Sequence, residues 1–294
     1  MQRSKGFDTP PLLRWLDKLT RPSRFWRHVL GHDWFAAYAF MAPTLLLMGG
    51  LIAYPFLRAV YLSFTRTRGA SVGPFVGLAN YRFLWTDRFF RESVWITVRF
   101  TLFSGLGKFL LSLAAALVLH RLGPKADLWT GLILLPWIMP TIVRAITWRG
   151  LLDPLYGGVN RLLIDLGLIQ KAIPFFGSID LALPSVMLVD IWQGIPFFTI
   201  NLLAGLKAID AELYEAAAID GAGAWRRFLH ITLPGLRYVV IVVNLLATIW
   251  TFNNFELIFL LTAGGPMNAT KVYSVLAYNY AVRGRQFGLA TAVA

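Results

Sequence analysis

Lys108, Arg144, Asp190, Gln193, Asn253, Asn254 and Glu256 all stand inside long apolar runs of this chain. A charged side chain at the centre of a membrane-spanning helix costs roughly 2.5–3.5 kcal/mol on insertion scales, and a large apolar residue returns only about 0.3–0.6 kcal/mol. Such residues are therefore expected to face protein or water, and together they could line a path for a polar solute. Trp192 and Phe252, next to Gln193 and Asn253, could stack on a sugar ring, whose face offers polarised C–H groups; packing explains either aromatic equally well. Pro136, Pro140 and Pro196 would leave unpaired carbonyls and bends where helices surround a cavity.

No nucleophile–base pair or facing carboxylate pair accompanies these residues, so no catalytic residue is assigned. Gly105-Leu-Gly-Lys108 has part of a phosphate-loop spelling, but Leu102 stands where the first Gly belongs and Phe109 where a Ser or Thr would hold magnesium. His28, His32, His120 and His230 lack metal-ligand spacing, and no metal ligand is assigned. Any energy source must then sit on another polypeptide.

The elements that position these residues follow from composition. With 57% hydrophobic and 15% charged residues, the chain cannot hide its apolar surface in a soluble core. The lack of Cys excludes disulfides and thiolate catalysis. Crossing roughly 30 Å of hydrocarbon takes about 20 residues. Runs of that length lie at Trp34–Phe64, Ser93–His120, Trp129–Leu151, Leu183–Leu206 and Tyr238–Thr262.

Residues 1–33 carry Arg3, Lys5, Arg14, Lys18, Arg21, Arg24 and Arg27, and read as a basic cytoplasmic arm ahead of a transmembrane domain, 34–294. Nucleic acid is not the expected partner of a chain this apolar; membrane lipid is. Starting inside, the crossings place 65–92 and 152–182 outside, and 121–128 and about 207–237 inside. Lys271–Val282, interrupted by Arg283-Gly-Arg285, is too short to cross and reads as an outer interfacial segment.

The inner loop 207–237 has its own pattern. Asp210 can cap a short helix carrying Glu212 and Glu215 in the favourable N-terminal position, Ala216 to Ala218 give it a small-residue face, and Gly221 ends it. A second helix, Ala222 to His230, is expected to be broken by Pro234. The spacing is Glu215-Ala-Ala-Ala-Ile-Asp-Gly221, nine residues, then Ile231-Thr-Leu-Pro234. It resembles the EAA loop of permease subunits of ATP-binding-cassette (ABC) importers. Asp190-Ile-Trp-Gln-Gly-Ile-Pro196, Phe252-Asn-Asn-Phe255 and Thr262-Ala-Gly-Gly-Pro266 extend the resemblance to the carbohydrate branch, the maltose and glycerol-phosphate type.

The resemblance implies an all-α, multi-pass protein of the bacterial inner membrane with a six-span core, so the run stopping at Ala294 is expected to be a truncated last span. It implies an oligosaccharide importer working by alternating access, with no cofactor in this chain and with ATP and magnesium on a partner ATPase dimer. A second, different permease subunit and a periplasmic solute-binding protein complete the implied assembly. Glu215, Ala216, Ala217, Asp220 and Gly221 would carry the ATPase contact. The solute path would use Lys108, Arg144, Asp190, Trp192, Gln193, Asn253, Asn254 and Glu256.

Arg58, Arg99 and Arg144 lie toward outer span ends, near Arg66, Arg68, Arg82, Arg88 and Arg91. A cationic vestibule for an acidic, alginate-like oligosaccharide would explain this excess; snorkelling to headgroups is the competing reading. A proton-coupled secondary transporter could also use intramembrane Asp190, Lys108 or Glu256, but has no need of the spaced loop.

Overall fold

The structure is a computed structural model that describes residues 34–69, 71–123 and 126–294; the basic arm lies outside the described residues. They are mainly helical, with two isolated bridges, Thr65 with Phe75 and Arg68 with Ser71, in place of strands. The chain divides into two compact units at Tyr61/Leu62. In the first, α1 (Trp34–Met48) runs through a π-helical turn, Gly49–Ala53, into α2 (Tyr54–Ser63), whose last two residues fall past the division.

The second unit opens with α3 (Ala79–Thr86) and α4 (Arg88–Leu122). Asp87 caps α4 by accepting from Phe90 N–H at 2.8 Å. Then come α5 (Ala126–Ile138), α6 (Thr141–Leu151), α7 (Gly158–Asp165) and α8 (Ile179–Lys207), the last continuing through both Pro184 and Pro196. In the turn after α6, Leu155 and Tyr156 N–H donate to Asp153 Oδ1 at 2.8 and 2.9 Å; these bonds, Tyr156's foremost, hold the carboxyl below the usual range.

Beyond α8 lie α9 (Ala211–Ile219), α10 (Ala224–Gly235), α11 (Arg237–Phe252), α12 (Glu256–Thr262), α13 (Tyr273–Tyr278) and α14 (Phe287–Val293). Ala37–Ser63, α4 and α8 are each long and apolar enough to cross a membrane, and two bent helix pairs bring the number to five if each pair is one span.

Two apolar runs are not single helices. The third bends by 95° between α5 and α6, where Pro140 has no N–H and leaves the Pro136 carbonyl without its helical partner. The run Tyr238–Thr262 breaks at Asn253–Phe255 into α11 and α12, because asparagine side chains compete for backbone groups there: Asn253 Nδ2 donates to the Ile249 carbonyl at 2.8 Å.

α4 and α8 form the axis of the second unit. Along them, one apolar cluster holds Ile96, Phe100, Val186, Val189, Leu257, Ile258 and Val275, and another holds Leu113, Ala116, Leu119, Leu202, Leu206 and Leu236. Lys108 and Ser112 of α4 and Asp190 and Gln193 of α8 fall between these clusters. Val275 and Leu276 are buried, and Tyr273 N–H donates to Thr97 Oγ1 at 2.9 Å, so the segment expected to be interfacial packs against α4.

Candidate functional site

Two glycines let α4 and α8 approach closely. A Cβ on Gly107 would stand 2.5 Å from the Ile191 side chain, and one on Gly194 would stand 2.6 Å from the Lys108 stem. The Lys108 stem thus lies against α8 and its ammonium reaches Asp190, Nζ to Oδ2 at 2.6 Å, with side-chain exposures of 7% and 3%. Lys108 Nζ also donates to Thr251 Oγ1 at 2.8 Å, and Asn254 Nδ2 donates to Asp190 Oδ1 at 3.0 Å. One buried ion pair therefore ties α4 and α8 to the break after α11. In the Gly105–Lys108 stretch, Gly107 serves helix packing and Lys108 this pair.

A cavity of about 410 Å³ opens beside the pair. Lys108, Asp190, Gln193, Asn253, Asn254 and Glu256 line it, together with Trp137, Phe197 and Trp250. The Gln193 side-chain oxygen is buried at this cavity and has no partner among the described residues. Trp250 and Phe197 meet edge to face at 5.0 Å between ring centres and give the cavity an aromatic wall.

Two expected path residues lie elsewhere. Trp192 is outside the lining and packs edge to face on Trp148 at 5.5 Å. Arg144 is also outside it, buried at the bend between α5 and α6. Its Nη1 donates to the Pro136 carbonyl at 3.2 Å and its Nη2 to Thr141 Oγ1 at 2.8 Å, so the guanidinium replaces the N–H that Pro140 lacks. Phe252 stacks on Tyr273, whose hydroxyl bonds to Asn253.

The sequence reading missed Trp137, Phe197 and Trp250 as lining residues. Helical spacing signals two of them: Asp190, Gln193, Gly194 and Phe197 share one face of α8, and Ala247, Trp250, Thr251 and Asn254 share one face of α11 and its end. Trp192 falls off that face.

The loop 207–237 folds largely as its pattern indicates. Asp210 caps α9, accepting from Glu212 N–H at 3.0 Å, and Gly221 ends it with φ +72°. α10 starts at Ala224 and not at Ala222, and it runs past Pro234 to Gly235, because a π-helical turn at Phe228–Thr232 precedes the proline. α10 and α11 differ in direction by 63°. Tyr214 and Thr232 hydroxyls meet at 2.9 Å and tie α9 to α10. Glu215, Ala216, Asp220 and Gly221 are exposed, Ala217 is half-buried, and Ile219 is 88% exposed.

Apolar helices around a polar, aromatic-walled cavity, with a short-helix loop following the long central helix, define a multi-pass membrane protein that forms a translocation path. The chain belongs to the family of binding-protein-dependent transport system inner membrane components, which its residues 108–294 match.

It is similar to the trehalose/maltose transport system permease protein MalF of Thermococcus litoralis, 37% identical over 257 residues, covering 87% of this chain and 86% of that one. Its fold matches a chain of a bacterial ABC transporter involved in the import of the acidic polysaccharide alginate, with TM-score 0.79 and 24% identity over 92% of each chain. A chain of bacterial alginate ABC transporter in complex with alginate pentasaccharide-bound periplasmic protein matches with TM-score 0.77 and 24% identity, covering 92% and 91%. Membership of this family gives no support to a proton-coupled secondary transporter.

Proposed function

We propose that this chain is a permease subunit of a bacterial inner-membrane ABC importer and carries a neutral oligosaccharide through the cavity beside Asp190. The cavity carries the proposal: its lining combines Gln193, Asn253 and Asn254 as hydrogen-bonding groups with Trp137, Phe197 and Trp250 as surfaces for sugar rings. The trehalose and maltose named for a relative at 37% identity are consistent with it.

The charges at the cavity do not favour the expected cationic path. Among the described residues that line it, Lys108 is the one cation and is neutralised by Asp190, while Glu256 is exposed and adds a carboxylate. Arg144 is committed to the Pro136 carbonyl. A polyanionic sugar would meet no free positive charge there.

In this reading the first 33 residues form a cytoplasmic arm ahead of the transmembrane domain. The bent pair α5–α6 and the helix α11 count as crossings, and α9–α10 face the cytoplasm. There Glu215, Ala216, Ala217, Asp220 and Gly221 contact a partner ATPase dimer, which holds ATP and magnesium. A second, different permease subunit and a periplasmic binding protein complete the importer, as the alginate transporter's periplasmic protein supports.

The test is substrate-stimulated ATP hydrolysis by the reconstituted complex, with neutral and uronate oligosaccharides delivered by the cognate binding protein. Neutral sugars are expected to stimulate. Gln193→Leu is expected to raise the half-stimulating concentration by about three- to tenfold, the weight of one hydrogen bond. Stimulation by uronates alone would overturn the neutral assignment.

A further inference from the structure

A second cavity, about 620 Å³, lies where α4, α8, α9 and α10 meet, away from the solute cavity. Its wall has two chemistries. His120, Arg121 and Arg227 bring positive or protonatable groups, and no carboxylate lines it among the described residues. Leu117, Leu206 and Phe228 make an apolar floor. Arg121 and Arg227 form no ion pair among the described residues. Trp225, 70% exposed, stacks on Phe228 at 5.5 Å, as an aromatic does at the level of lipid headgroups. Val118 and Leu122 at the end of α4 are apolar and exposed.

We propose that this cavity binds one acidic phospholipid of the inner leaflet, with its phosphate at Arg121 and Arg227 and an acyl chain against Leu117 and Phe228. The inference rests on the reading that α9 and α10 face the cytoplasm. The charge is complementary to an anionic headgroup, which guanidinium groups hold in paired N–H···O geometry. A soluble phosphate would use the arginines and leave the apolar floor wet, so the wall as a whole fits a lipid. Because Tyr214 of α9 and Trp225 of α10 both line the cavity, the lipid would set the spacing of the two short helices and so tune coupling to the ATPase.

The full importer, reconstituted in phosphatidylethanolamine with or without phosphatidylglycerol, tests this by native mass spectrometry after extraction. One phosphatidylglycerol per complex is expected to stay bound. Arg121→Gln is expected to lower its retention about fivefold, the weight of one cation near an anionic surface, and Arg121→Lys to keep it.

Equal retention by the parent and Arg121→Gln overturns the proposal, as does equal retention of phosphatidylethanolamine. Displacement by millimolar glycerol 1-phosphate would assign the arginines to a soluble phosphate instead. A photo-crosslink to the ATPase from a short maleimide–benzophenone reagent on an Arg121→Cys complex would assign the cavity to that protein. Co-purification of the ATPase and labelling of Ala222→Cys from the inside report separately on the orientation, so failure of that reading is distinguishable from loss of the lipid.

Discussion

Lys108 and Asp190 form the buried ion pair that joins α4 to α8. Removing one member of a buried ion pair leaves an uncompensated charge, while replacing both with apolar groups of similar size is often neutral. Lys108→Met and Asp190→Leu are each expected to destabilise by about 3–5 kcal/mol, and the double variant to recover most of that loss. Thermal unfolding of the purified protein measures it, and additive single effects would show that the pair is not coupled. That Lys108 had to face protein or water was legible from the insertion cost. Its partner was not, because only the folded crossing brings α4 to Asp190. Arg144 shows the other limit: the sequence announced its burial cost and the orphaned carbonyls of the proline pair separately, and nothing in the letters joined the two.

Among elements, the approach of α4 to α8 depends on where each glycine stands. A Cβ on Gly194 collides with the Lys108 stem, whereas one on Gly105, a turn away on α4, meets nothing within 4 Å. Gly194→Ala is expected to cost about 1–3 kcal/mol as overpacking, and Gly105→Ala to be neutral or stabilising by up to about 1 kcal/mol, since glycine weakens a helix interior. Equal melting temperatures for the two variants would show that the close crossing is not needed. α4 and α8 were readable almost to their ends, because their apolar runs are unbroken and long. The breaks at Met139–Pro140 and Asn253–Phe255 were hidden inside equally apolar stretches. Proline marked the first as a bend, but hydropathy alone drew the second straight through.

At the scale of the whole molecule, the proposed solute cavity and the short-helix loop sit at different places on the same long helix, α8, with Asp190 within it and Asp210 just past its end. Movement of the loop can therefore reach the cavity along one continuous helix. Glu215→Lys reverses an exposed charge on α9 without touching the apolar clusters, so assembly with the ATPase and fold should survive while uptake falls. Solute uptake in cells, read beside the amount of ATPase that co-purifies, checks this. Full uptake by the variant would remove Glu215 from coupling.

The Lys108–Asp190 pair also bears on how the chain is made. Synthesis runs from the N-terminus, so α4 leaves the ribosome and enters the bilayer before Asp190 has been added. For that interval Lys108 has no counter-charge, at a cost of roughly 2.5–3.5 kcal/mol on insertion scales, which the leucines and phenylalanines of α4 must outweigh. Gly107, on the flank that α8 will later cover, keeps that side of the newborn helix open. The arrival of α8 then supplies the counter-charge.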